Sequence, residues 1–195
     1  MGALAALPPA LAASPVPCAA AAPDALAAIL ALPKLDAPAG AAAQEATQAG
    51  ATLVHVFATW CEPCRAEMLP LARLAQRLRG RVRVVALDAG EPQTRVRRFF
   101  AQDFFAREFP EGPPFEVVFD EARALLAPLR VETLPTSLLL DASGRERARA
   151  AGPVDWDSPQ AAQALDAVVA DAGRSQEKPA APIVLPPLAL EETPP

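Results

Sequence analysis

Two cysteines separated by two residues, in Trp60-Cys61-Glu62-Pro63-Cys64, stand between a strand-like apolar run at 52–57 and a long helical pattern at 65–78. A C-x-x-C pair at a strand-to-helix junction places the first thiol at a helix N-terminus. There the backbone N–H groups and the helix dipole favour the thiolate. The second thiol lies about one turn further along, in reach of the first to close a disulfide. Such a pair is the working part of a dithiol–disulfide exchanger.

Two other uses of the pair are poorer fits. A structural zinc site needs four ligands, and the chain offers only Cys18 and His55 besides the pair. Cys18 lies in an Ala/Pro-rich leader and His55 inside a strand pattern, so no metal is expected. An inert structural disulfide this short closes a very small loop and stabilises little. Redox exchange is the remaining reading. It requires no cofactor beyond the Cys61–Cys64 disulfide itself.

The stretch at 53–67, LVHVFATWCEPCRAE, resembles the active-site segment of the thioredoxin superfamily, in particular that of the TlpA/ResA-like thiol–disulfide oxidoreductases of the bacterial cell envelope. Leu134-Pro135-Thr136, followed by an apolar run to Asp141, is similar to the family's cis-proline segment. Asp141-Ala142-Ser143-Gly144 and the residues to Gly152 resemble its terminal hairpin. The resemblance implies an α/β, thioredoxin-like fold: a mixed central sheet flanked by helices, with an inserted βα unit between residues 80 and 129. It implies a protein-disulfide reductase of the periplasm or cell envelope, with a cytoplasmic location as the alternative. Its partners would be disulfide-containing proteins, of cytochrome c or copper-site assembly type, and an upstream thiol electron donor.

Roles follow residue by residue. Cys61 is the expected attacking thiolate and Cys64 the resolving thiol. Pro63, early in the helix, costs no intrahelical hydrogen bond. Glu62 puts a carboxylate between the thiols, opposing thiolate formation and favouring a reductant. Trp60, Leu134, Pro135 and Thr136 are expected to meet substrate; the resemblance makes the Leu134–Pro135 bond cis. Glu67, one turn beyond Cys64, resembles a glutamate that affects cysteine ionisation in ResA-like proteins. His55 stands where thioredoxins place a buried aspartate; a neutral imidazole there could accept a proton from Cys64, or simply be a satisfied core histidine. A peroxiredoxin is excluded because Ala58 occupies the position of its threonine. The alternative function is a Cu(I) metallochaperone using the same thiols, with Met68 one turn beyond Cys64.

The remaining chain supports one domain. Residues 1–32 read as an Ala/Pro-rich leader or an atypical signal region: basic residues are missing and Pro8-Pro9 interrupt the apolar run. Residues 33–172 form the domain, and 173–195 a Pro-rich disordered tail. No stretch is apolar enough to predict an integral membrane span. A net charge of −5 lacks the basic footprint of a nucleic-acid binder. Within the domain, strands are expected at 52–57, 81–88 and 115–119, with a hairpin at 136–151. Helices are expected at 62–79, 91–109, 121–129 and 158–171, with a short one at 24–32 and a helical turn at 42–48. The phenylalanines at 99, 100, 104 and 105 are read as core.

Overall fold

In a computed structural model of the chain, which describes residues 25–35, 50–172 and 183–184, the run before the cysteines becomes β1 (Ala51–Phe57). All seven residues of this strand are buried, which is why it reads as a continuous apolar run rather than an alternation. It pairs in parallel with β2 (Val82–Asp88) and antiparallel with β4 (Thr136–Asp141). Outside these lie β3 (Glu116–Phe119), parallel to β2, and β5 (Glu146–Ala151), antiparallel to β4. A two-residue strand, β6 (Ile183–Val184), extends the sheet beyond β5, giving the order β3-β2-β1-β4-β5-β6. The mixed sheet is the one expected.

Helix α2 (Glu62–Arg77) follows β1 and buries Met68, Leu71, Ala72, Leu74 and Ala75. These fall at helical spacing on one face. The closing helix packs against β1 and β4, burying Ala161, Leu165 and Val168. The insertion between β2 and β4 supplies an aromatic core. Phe99, Phe100, Phe105, Phe109 and Phe115 are all buried, and several pair edge-to-face with Phe57 or with one another.

Three expectations are corrected. The helix expected over 91–109 is two short ones, α3 (Gln93–Phe100) and α4 (Asp103–Ala106). On one continuous helix Phe100 and Phe105 would point about 140° apart; the break at Ala101–Gln102 lets both enter one core. It also leaves Phe104 at 36% exposure, outside the core it was assigned to. The helix expected over 121–129 is a series of turns. The Asp120 carboxylate takes the N–H groups of Ala124 and Leu125 at 2.8 and 2.9 Å, and Arg123 sits at φ +54°. Side-chain capture of backbone donors competes with helix formation, and a positive φ interrupts it.

Two short elements are described outside the span 33–172. Helix α1 (Ala25–Ala31) buries Ala25 and Ile29, an i,i+4 pair hidden in the leader's alanine background. The segment after it lies along β3, with Leu35 N–H donating to Val117 O and Phe119 N–H to Pro33 O, both at 2.9 Å. Ile183–Val184 lies within the stretch assigned to the tail. Cys18 and the turn expected at 42–48 lie outside the described residues. Among the described residues, no helix is long and apolar enough to cross a membrane.

Candidate active site at the head of helix α2

Cys61 is the N-cap of α2, with φ −81° and ψ 109°, and its Sγ accepts the N–H of Cys64 at 3.3 Å. Its carbonyl accepts from Arg65 N–H at 3.0 Å. A sulfur so placed takes over an N–H left free at the helix start. In the reduced protein that N–H and the helix dipole stabilise negative charge on Cys61. The two cysteines are joined in a disulfide with their Cα atoms 5.3 Å apart. Cys61 is 6% exposed and Cys64 0%, so a partner reaches Cys61 first. Pro63 occupies the first turn, where its missing N–H costs nothing. Glu62 and Pro63 are exposed. Trp60 is 62% exposed, so it is a surface side chain beside Cys61 and not a core residue.

Beneath the pair lies a buried polar cluster. Glu67 is 2% exposed, which rules out a surface helix glutamate. Its Oε1 accepts Val154 N–H at 2.8 Å and its Oε2 accepts Trp156 Nε1–H at 2.6 Å. Burial pushes its carboxyl up to about 7, against the downward pull of those two donors. At neutral pH Glu67 is therefore poised between carboxylate and acid. His55, fully buried, has Nδ1 2.9 Å from Ser137 Oγ and 3.7 Å from Glu67 Oε2. Burial holds the imidazole down at about 3, so it is neutral. Its Nε2 has no hydrogen-bond partner among the described residues. His55 is thus half-satisfied: the satisfied core histidine of the sequence reading is corrected in this respect.

The proline segment reaches the same end of the sheet. Thr136 pairs with Val56, so Pro135 lies where β1 leads out towards the cysteines. The Leu134–Pro135 bond is cis. Pro135 O accepts Gly152 N–H at 2.8 Å, and Thr136 Oγ1 donates to Thr133 O at 2.7 Å. Thr136 is buried and Leu134 half-buried.

Sequence reasoning missed Trp156, Val154 and Ser137, all of which touch Glu67 or His55. The one available signal was Trp156 itself, a large polar-tipped side chain in a turn, where a buried indole N–H needs an acceptor. Sequence reasoning also missed Glu91, which holds Thr59 two residues before Cys61. Among the described residues, no group of three His, Cys, Asp or Glu side chains is placed to hold a metal ion. Met68 is fully buried.

Comparison with known proteins agrees with this geometry. The Redoxin family model matches residues 18–165. The thiol-disulfide oxidoreductase ResA of Bacillus thuringiensis (strain Al Hakam) is 31% identical over 93 residues, 47% of this chain and 49% of that protein. The thiol:disulfide interchange protein DsbE homolog of Paracoccus denitrificans (strain Pd 1222) is 32% identical over 108 residues, 55% of this chain and 54% of the other. The chain spans about half the length of these curated relatives. Among solved structures, the exposed lipoprotein thioredoxin of Streptococcus pneumoniae strain TIGR4 is similar in fold. It has a TM-score of 0.53 at 16% identity, covering 70% of this chain and 99% of that one.

Proposed function

The chain belongs to the Redoxin family of the thioredoxin superfamily, and from that premise we propose that it is a thiol–disulfide oxidoreductase of ResA/DsbE type that reduces disulfides in other proteins. One observation carries the reading. An accessible sulfur caps a helix, its partner sulfur is fully buried behind it, and a glutamate with a near-neutral pKa sits one turn further on.

In the proposed cycle the Cys61 thiolate attacks a substrate disulfide, forming a mixed disulfide and releasing one substrate thiolate. Cys64 gives up its proton to the Glu67 carboxylate and attacks the Cys61 sulfur. The Cys61–substrate bond breaks and the second substrate thiolate leaves. Two electrons pass from the dithiol to the substrate, whose two thiolates take protons from solvent as Glu67 releases the one it received. An upstream thiol donor then reduces Cys61–Cys64 again. Trp60, exposed beside Cys61, and Leu134, half-buried before the cis bond, would receive the substrate segment, while the buried Pro135 and Thr136 shape the strand end behind them. The proposed clients are cell-envelope proteins with a disulfide to be opened, of cytochrome c or copper-site assembly type, which sets the protein in the periplasm or envelope. The resemblance at 53–67 supports that choice.

Glu62, exposed between the thiols, adds negative charge near Cys61 and biases the pair towards donating electrons. Glutathione equilibration followed by Trp60 fluorescence is expected to give a potential on the order of −220 to −300 mV. A value above about −180 mV would overturn the reductant assignment. Insulin reduction assayed alongside Cu(I) titration separates this activity from metal carriage: turnover without stoichiometric copper retention is the expected result.

A further inference from the structure

Cys61 is delivered to the head of α2 by a tight turn. Its N–H donates to Ala58 O at 3.2 Å, making Thr59 and Trp60 the two central residues. Trp60 projects into solvent. Thr59 is held from the insertion. Glu91 Oε2 accepts Thr59 N–H at 2.5 Å, and Oε1 accepts the Thr59 hydroxyl at 2.7 Å. Glu91 is only 3% exposed although it is a carboxylate, and each of its oxygens accepts from this one residue. Charge-assisted pairs of this kind are among the stronger hydrogen bonds.

Glu91 is itself held. Asp88 Oδ2 accepts the N–H groups of Glu91 and Gly90, at 2.8 and 3.1 Å. Ala89 N–H donates to Phe57 O at 2.9 Å, tying the same loop to the end of β1. Gly90 has φ +93°, and a Cβ there would run into the Arg123 side chain, so the turn calls for glycine. Arg95 approaches Glu91 Oε1 at 3.6 Å from the outer side. A buried carboxylate on a pinned loop, closed on the residue two before the nucleophile, does more than fill space.

We propose that Glu91 is a positioning residue for thiol–disulfide exchange: it clasps Thr59 and so fixes the turn that aims Cys61 from the head of α2. The role rests on Cys61 being the attacking thiol. Small misplacements of a reacting group are costly in rate, so the clasp is read as speed of Cys61 attack and not only as stability.

The test uses the full chain, reduced, well below its unfolding temperature. Two rates are followed per folded molecule: Cys61 alkylation by iodoacetamide across pH, and attack on the small disulfide DTNB. Glu91→Ala is expected to slow DTNB attack about tenfold or more. Thr59→Ala, which keeps the N–H, should slow it less. Glu91→Gln should recover most of the rate, because its amide oxygen accepts the N–H and its NH2 donates to the hydroxyl. The double variant Thr59→Ala/Glu91→Ala should be no slower than Glu91→Ala, since both act through one link. Unchanged rates per folded molecule, or multiplying effects, overturn the proposal. If Glu91→Ala does not fold, Thr59→Ala and Glu91→Gln still decide it. A wild-type protein that fails to reduce insulin would sink the proposed function, whereas the alkylation rates would still report on the clasp.

Discussion

Cys61→Ser is expected to abolish disulfide reduction and to leave no covalently trapped partner, whereas Cys64→Ser loses turnover but accumulates mixed disulfides. The asymmetry follows from the helix terminus. Cys61 caps α2 with its sulfur on the Cys64 N–H and retains 6% exposure, while Cys64 is wholly buried. Only Cys61 combines access with stabilisation of the thiolate. Without Cys64 the mixed disulfide has no internal thiol to resolve it, so the loss of turnover should be complete within assay limits. Non-reducing electrophoresis with mass spectrometry of a Cys64→Ser pull-down measures the adducts and names the client. Equal trapping by both variants would refute the assigned roles.

A second large effect is expected in stability against pH. His55 is held near 3 in the folded protein against 6.5 when free. Between those values the unfolded chain binds a proton that the native one does not, so stability is present above pH 6.5 and is lost as pH falls towards 3. Integrated over the shift, this amounts to something on the order of 5 kcal/mol. Glu67 works in the opposite sense. Its carboxyl is raised from 4.5 to about 7, so the native state keeps a proton that the unfolded chain has released. Stability then falls as pH rises through that window, by something on the order of 3 kcal/mol. Asp88, raised from 3.8 to about 6 by burial, acts in the same direction as Glu67.

The difference between a variant and the wild type isolates each contribution. His55→Asn, able to bond Ser137 in place of Nδ1, should gain stability relative to wild type as pH drops below 6.5. The gap should widen to several kcal/mol by about pH 3. Urea unfolding at a series of pH values checks this. A gap that stays constant with pH would show that His55 is not a buried neutral base.

The parts of the fold set by near neighbours were legible before any coordinates. A fully buried central strand reads as an unbroken apolar run. The cysteine pair sits at a strand-to-helix junction, where capping depends on residues within one turn. The hairpin after Pro135 follows from a strand, a turn glycine at Gly144 and a second strand. The thiol chemistry at Cys61 and Cys64 belongs to this local level.

What required the tertiary structure lies at long range. Glu67 becomes a buried acid only because Val154 and Trp156, 87 and 89 residues away, close over it. Its proximity to His55 depends on how α2 rests on β1. Glu91 reaches Thr59 only through the parallel pairing of β1 and β2, which sets both loops at one end of the sheet. The break between α3 and α4 serves a shared aromatic core that no helical period contains, and the segment after α1 pairs with the edge of β3, strands later in the chain. Local propensities act over about one turn of chain, whereas burial, desolvation and the hydrogen bonds that offset them depend on which distant segments the sheet order brings together.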